Sequence, residues 1–154
     1  ELDLSDIKYV ELEASEQARQ SLLPGDLLFN RTNSKELVGK TGIWDGRWHA
    51  VAASYFIRLR IDAARAVPFY VWAVMNSRHM KRRLFETARG AIGQSNINTR
   101  ELKALPILLP PIDLQRQFAT KVDAVSGIIV QQDAALDKAR ATFDSLLQQA
   151  FARP

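Results

Sequence analysis

Two stretches of the chain concentrate side chains that hydrogen-bond in pairs. The first follows a short apolar run and supplies Asn30, Arg31, Thr32, Asn33, Ser34 and Lys35. The second reads RGAIGQSNIN from residue 89 and supplies Arg89, Gln94, Ser95, Asn96 and Asn98. An Asn or Gln amide presents a donor and an acceptor in one plane and fits the edge of adenine, whereas an Arg guanidinium presents two parallel donors and fits guanine. Lys40, Arg58, Arg60, Arg82 and Arg83 carry the charge that phosphate contacts need. Each amide also has a local alternative, because Asn96 and Asn98 suit turns and helix caps. Asn98 stands three residues before Glu101, the spacing of a capping box.

Signatures of catalysis are sparse. The chain has no cysteine, which excludes thiol chemistry and disulfides and fits a reducing compartment. His49 and His79 lack zinc-ligand spacing, and His79, among Arg78, Lys81, Arg82 and Arg83, reads as solvated or phosphate-contacting. No Walker A, Rossmann, GxSxG or HExxH pattern occurs. Glu101 and Lys103 form the E-x-K half of a metal-dependent nuclease motif, with Asp26 or Asp45 as the second carboxylate it would require. Such triplets are common on ordinary helices. GAIG fits the GxxG loop of KH RNA-binding domains, but that loop needs a helix directly on each side. No cofactor is expected in this chain.

The elements that must position these loops read as follows. KYVELEA (8–14) looks like a strand or strand end. Pro24-Gly25 is a turn and Leu27 to Asn30 a strand. Asp45-Gly46 is a hairpin signal. Residues 55–61 alternate, with Ile57, Leu59 and Ile61 on one face and Arg58 and Arg60 on the other, as in a half-buried strand with a basic outer face. Pro68 suits a first helical turn, and Phe69, Trp72, Met75 and Met80 roughly follow one face, which predicts a basic helix over 68–87 ended by Gly90. PILLPP reads as a short strand closed by Pro110-Pro111.

After the prolines the pattern changes. Phe118, Val122, Val125, Ile129, Gln132, Leu136, Ala139, Phe143, Leu146 and Ala150 alternate at spacings of four and three, a heptad seam. With Asp113 as N-cap, a helix over 113–152 would be about 60 Å long at 1.5 Å per residue. Ile128 and Leu147 widen the stripe, Gln132 interrupts it with a polar group, and Gly127 weakens it. Such a seam needs a partner, either a second helix or the helix's own domain; the length and regularity of the pattern favour a helix–helix interface through Phe118, Val122, Val125, Ile129, Gln132, Leu136, Phe143 and Leu146.

Charge divides along the chain more sharply than the net +4 implies. Residues 1–26 carry seven acids and two bases, residues 27–103 fourteen bases and five acids, and residues 104–154 five of each. A basic block between an acidic lead and a neutral tail points to a polyanion partner, with a basic solvated face as the alternative. The longest apolar run, AVPFYVWAVM, contains a proline and falls short of the ~20 residues that span a bilayer. With no visible signal peptide, a cytoplasmic protein without a membrane partner is expected. The chain begins with Glu1, which suggests processing or excision from something longer.

Taken together, LLPGDLLFNRTNSKELVGKTGIW, ARGAIGQSNINTRELKALPILLPP and the helix after them resemble the specificity subunit of type I restriction–modification systems. The resemblance rests on Gly25–Phe29, Asn33–Ser34, Val38–Lys40, Gly93–Ile97, Leu105–Pro111 and a Gln-bearing helix start from Gln115, in that order, and covers roughly residues 21–150. It implies a target recognition domain that reads double-stranded DNA, followed by a long spacer helix. In such subunits two of these units place their helices antiparallel between two half-sites. The subunit itself would be non-catalytic, and methylation and cleavage would belong to methyltransferase and restriction partners using S-adenosylmethionine, ATP and magnesium. This chain carries one recognition domain and one helix, and it starts late relative to the family pattern. A fragment, or a half-length subunit that pairs its helix with a second copy, is therefore expected; the tail LLQQAFARP resembles the end of the family's second helix. The resulting architecture is α+β: a small mixed β-sheet recognition domain with a basic helix over 1–111, then a coiled-coil-type helix over 112–154. The alternatives are a protein–protein adaptor acting through the heptad helix and a nuclease using Glu101 and Lys103.

Overall fold

A computed structural model describes residues 7–33, 39–87 and 95–152. The strands are β1 (Leu27–Asn30), β2 (Thr32–Asn33), β3 (Thr41–Ile43), β4 (Phe56–Leu59) and β5 (Ser95–Asn96). The helices are α1 (Ala14–Gln20), α2 (Pro68–Asn76), α3 (Arg78–Thr87), α4 (Thr99–Lys103) and α5 (Ile112–Phe151). The chain divides into two compact units, 1–116 and 117–154.

The first three residues of β1, Leu27, Leu28 and Phe29, are apolar and buried because both faces of the strand are covered. It is the centre of a three-stranded sheet ordered β3-β1-β4, with Leu28 opposite Gly42 on one side and Arg58 on the other. Leu27 and Phe29 turn to one face and pack with Ile57, Val71, Met75, Met80, Leu84, Ile97 and Leu102. Leu28 turns to the opposite face and packs with Leu22 and Trp44. Full burial of a side chain such as Phe29 or Met75 contributes roughly 1.5–3 kcal/mol. The expected strand over 55–61 is present in shorter form, and Leu59 and Ile61 pack against the main core beside buried Ile57, as their alternation predicts. The α+β class holds. The sheet is not mixed, however: every strand pairing among the described residues is antiparallel. A parallel neighbour would require a crossover connection of a dozen or more residues.

Several local expectations are corrected. Residues 7–13 form no strand, and α1 follows them. Its sequence ASEQARQ is rich in helix formers and places Glu16 in the first turn and Arg19 in the last. Asp45-Gly46 does not join two strands. Asp45 accepts the Arg47 backbone N–H at 3.1 Å and binds the Arg47 guanidinium, making a local turn. The flanking residues bond instead to the segment before β1, through Leu22 N–H to Ala50 O (2.9 Å) and Gly25 N–H to Trp44 O (2.8 Å). Trp44 is buried there with Leu22 and Leu28, a long-range gain that outweighs the hairpin signal.

The basic helix expected over 68–87 is two helices, broken at Ser77 (ψ 152°). The Asn76 amide donates to Thr41 O (2.8 Å) and accepts the Thr41 N–H (3.2 Å), satisfying the outer edge of β3. The Ser77 hydroxyl then accepts the Met80 N–H at 3.2 Å and starts α3. PILLPP is not a strand either. Pro106, Pro110 and Pro111 lack N–H donors for a ladder, and Leu105 and Ile107 pack on the core outside any strand. α5 agrees with the expected helix to within a residue at each end, but Asp113 lies inside its first turn and is not the N-cap. No described helix is long and apolar enough to cross a membrane.

Candidate nucleic-acid interface

The polar stretch after β1 leaves the sheet at a closed base. Asn30 donates its N–H to Lys40 O (3.0 Å), and its carbonyl accepts the Gly39 N–H (2.8 Å). Gly39 has φ +77°, and a Cβ there would lie 2.6 Å from Leu84 Cδ1. The return therefore depends on glycine, both for its backbone conformation and for its contact with α3.

Just beyond Asn30, the Arg31 N–H donates to Tyr55 O (3.0 Å), and its carbonyl accepts the Ile97 N–H (3.1 Å). β2 then pairs with β5, Thr32 opposite Asn96 and Asn33 opposite Ser95. The two polar stretches, far apart in sequence, thus form one antiparallel ribbon. Its root is fixed from within: Ile97 is buried in the core, and Asn98 closes the predicted capping box. The Asn98 side-chain oxygen accepts the Arg100 and Glu101 N–H groups (both 2.9 Å), while the Asn98 N–H donates to Glu101 Oε2 (2.8 Å).

The other candidate residues separate into groups. Ser34, Lys35, Arg89 and Gln94 lie outside the described residues. Lys40 is exposed at the loop's base, and Arg82 is exposed on α3, whose Met80 and Leu84 face the core. Arg83 is partly exposed on the same helix. Arg58 on β4 and Arg60 just after it both make contacts within the fold. Arg58 donates to Ser21 O (2.9 Å) and Arg19 O (3.0 Å). Arg60 grips the Asp26 carboxylate through Nε (2.9 Å) and Nη2 (2.7 Å). Charge pattern alone could not separate these arginines from phosphate ligands, because it does not reveal Asp26 beneath them.

Asp26 is 2% exposed, and it also accepts the Leu23 N–H at 2.9 Å. Burial opposes its ionisation. Hydrogen bonds from Arg60 and Leu23, with the charges of Arg60 and Arg58, outweigh burial and hold the carboxyl below the usual aspartate range. A carboxyl with a lowered folded-state pKa adds stability that is fully present above the unfolded value of about 3.9 and is lost as pH falls through the folded value. Arg60 is half exposed, so Asp26→Asn is expected to cost about 1–2 kcal/mol at pH 7. Urea melts between pH 7 and pH 2 should show parent and variant converging below pH ~4.

Two residues make contacts that the sequence did not assign them. Tyr55 is 51% exposed, its ring lies 4.6 Å from that of Phe56, and its carbonyl holds Arg31. Its position at the start of the alternating 55–61 segment was the available signal. Gln115 is fully buried, its amide bonding Val67 N–H and Pro110 O. Among the described residues no group of three His, Cys, Asp or Glu side chains is placed to hold a metal ion. Glu101 serves the capping box, and Asp26 and Asp45 bind Arg60 and Arg47.

The seam residues Phe118, Val122, Val125, Ile129, Gln132, Leu136, Phe143 and Leu146 all lie on α5. Val125, Ile129, Leu136, Phe143 and Leu146 are exposed in the single chain, with Ile128 and Leu147 beside them.

No family profile matches the chain. Curated relatives do. The putative type I restriction enzyme MjaX specificity subunit of Methanocaldococcus jannaschii is 33% identical over 146 residues, covering 90% of this chain and 34% of that protein. The EcoKI specificity subunit of Escherichia coli is 28% identical over 155 residues, covering 99% of this chain and 33% of that protein. The StySPI specificity subunit of Salmonella potsdam is 26% identical over 148 residues, with 92% and 32% covered. The chain spans about a third of the length of these relatives. Over at least nine tenths of its own length, the chain is homologous to part of a type I restriction enzyme specificity subunit.

Proposed function

We propose that this chain is a DNA-reading unit of a type I specificity subunit. It recognises one half of a double-stranded target and directs partner methyltransferase and restriction subunits to it. The unit is itself non-catalytic, needs no cofactor of its own and works in the cytoplasm. The observation that carries the reading is the β2–β5 ladder, which joins both amide-rich stretches in one ribbon. A two-stranded ribbon fits the major groove, where Asn, Gln and Arg read base edges. Exposed Lys40 and Arg82 supply charge nearby for phosphates. α5 acts as the spacer, its apolar stripe packed against a second such helix from the same subunit or from another copy.

The test is binding to random-sequence and selected duplexes across a salt series. Affinity should fall steeply with salt, because each neutralised phosphate releases counterions. Gln94→Ala should reduce discrimination among sequences by about 1–3 kcal/mol while leaving the salt slope unchanged. A salt-independent response sinks the reading. The exposed stripe on α5 favours a second reading, a protein–protein adaptor. Val122→Asp with Ile129→Asp should abolish helix association under either reading, whereas only a DNA reader responds to Gln94→Ala.

A further inference from the structure

Lys81, on the first turn of α3, reaches out of its helix to the base of the polar loop. Its ammonium donates to the Gly39 carbonyl at 2.6 Å, and the Thr41 hydroxyl donates to the same oxygen at 3.1 Å. Lys81 is half-buried, whereas Lys40, next to Gly39 in the chain, is exposed. Burial and the nearby charge of Lys40 push the Lys81 ammonium down to about 8. Among the described residues no salt bridge reaches either lysine. Arg60, by contrast, stands over Asp26. Two neighbouring cations destabilise each other, and an anion between them relieves the repulsion. An ammonium has three donors, and Gly39 takes one of them. The remaining donors suit a tetrahedral oxyanion, for which a lysine acts as a point charge with rotatable hydrogens. The pair sits where Asn30, Gly39 and Lys40 close the loop that leads into the ribbon.

We propose that Lys81 and Lys40 together hold one backbone phosphate of the DNA duplex read by the β2–β5 ribbon. Lys81 thereby joins the candidate phosphate ligands through a contact with Gly39 that composition and periodicity did not reveal. The proposal rests on the DNA-reading function above. Its ligand class is the phosphodiester, so it affects all sequences alike.

The experiment measures affinity of the full chain for a random-sequence duplex against salt, for the parent, K40M, K81M and the double variant, with thermal melts in parallel. Removing one phosphate contact lowers the log–log salt slope by about one. The double variant should lose about one in slope, each single variant part of that, and sequence preference should be unchanged. A double variant with the parental slope overturns the proposal. Single losses that add to about two also overturn it, since they would mean two separate phosphates. Lys40 is exposed, so K40M keeps the fold; where K81M unfolds, an unchanged slope in K40M is the overturning result. A parent protein with no salt dependence overturns the DNA reading itself, an outcome distinct from a steep slope that the lysine variants leave intact.

Discussion

Gln115→Ala is expected to destabilise the protein by about 3 kcal/mol, with an additional contribution from the cavity it leaves. The side chain is fully buried. Its oxygen accepts the Val67 N–H at 2.9 Å, and its nitrogen donates to Pro110 O at 2.8 Å and reaches Arg65 O at 3.5 Å. One amide therefore ties the approach to α2 and the proline segment to the first turn of α5. Truncation leaves the Val67 N–H and the Pro110 carbonyl without their partner, and an unmade bond in a partly desolvated site costs more than a made bond contributes. Gln115→Met separates volume from polarity. It refills most of the space but restores none of the bonds, so it should be nearly as destabilising as Gln115→Ala. Urea unfolding followed by tryptophan fluorescence checks both, since Trp44 is buried and Trp72 packs against the core. A Met variant close to parental stability would show that the amide's bonds contribute little.

Gly39→Ala should cost about 2–4 kcal/mol, from two separable sources. A non-glycine residue at φ +77° is strained by roughly 1–2 kcal/mol. The new methyl group also meets Leu84 Cδ1 at 2.6 Å, and Leu84 is fully buried, so its side chain has no open space into which to withdraw. Leu84→Ala removes that second source. In a double-mutant cycle, Gly39→Ala with Leu84→Ala should therefore cost less than the sum of the single changes, leaving mainly the backbone strain. Strict additivity would contradict the packing account. Gly39 also carries the carbonyl that Lys81 and Thr41 share. The same substitution should consequently weaken DNA binding through the loop's base, even at temperatures where the variant remains folded.

The legible parts of this fold were those with a local cause. A compact apolar run marked β1 as a strand, and alternation put Ile57, Leu59 and Ile61 on one face, which the structure turns toward the core. Three-residue spacing fixed the Asn98–Glu101 capping box, which is complete. A heptad pattern free of proline gave α5 to within a residue at each end. Sequence reasoning failed where a distant contact overrode a local pattern. Phe69, Trp72, Met75 and Met80 roughly follow one helical face across Ser77, but the Asn76 amide is drawn to the edge of β3 and the helix breaks there. Apolar residues in PILLPP suggested a strand, although its prolines remove the donors a ladder needs.

The candidate site divides in the same way. By itself, the sequence determined which side chains are available: two amide-rich stretches, a basic middle and a heptad tail. Residue type sets hydrogen-bonding capacity and charge wherever the chain goes. It did not determine which of these groups act together. Only the tertiary structure pairs residues 32–33 with 95–96, places Asp26 under Arg60 and sets Lys81 against Gly39. Those pairings come from backbone ladders and buried contacts between segments far apart in the chain. Burial removes the water that would otherwise satisfy each group alone, so its partner is decided by what the fold brings near it.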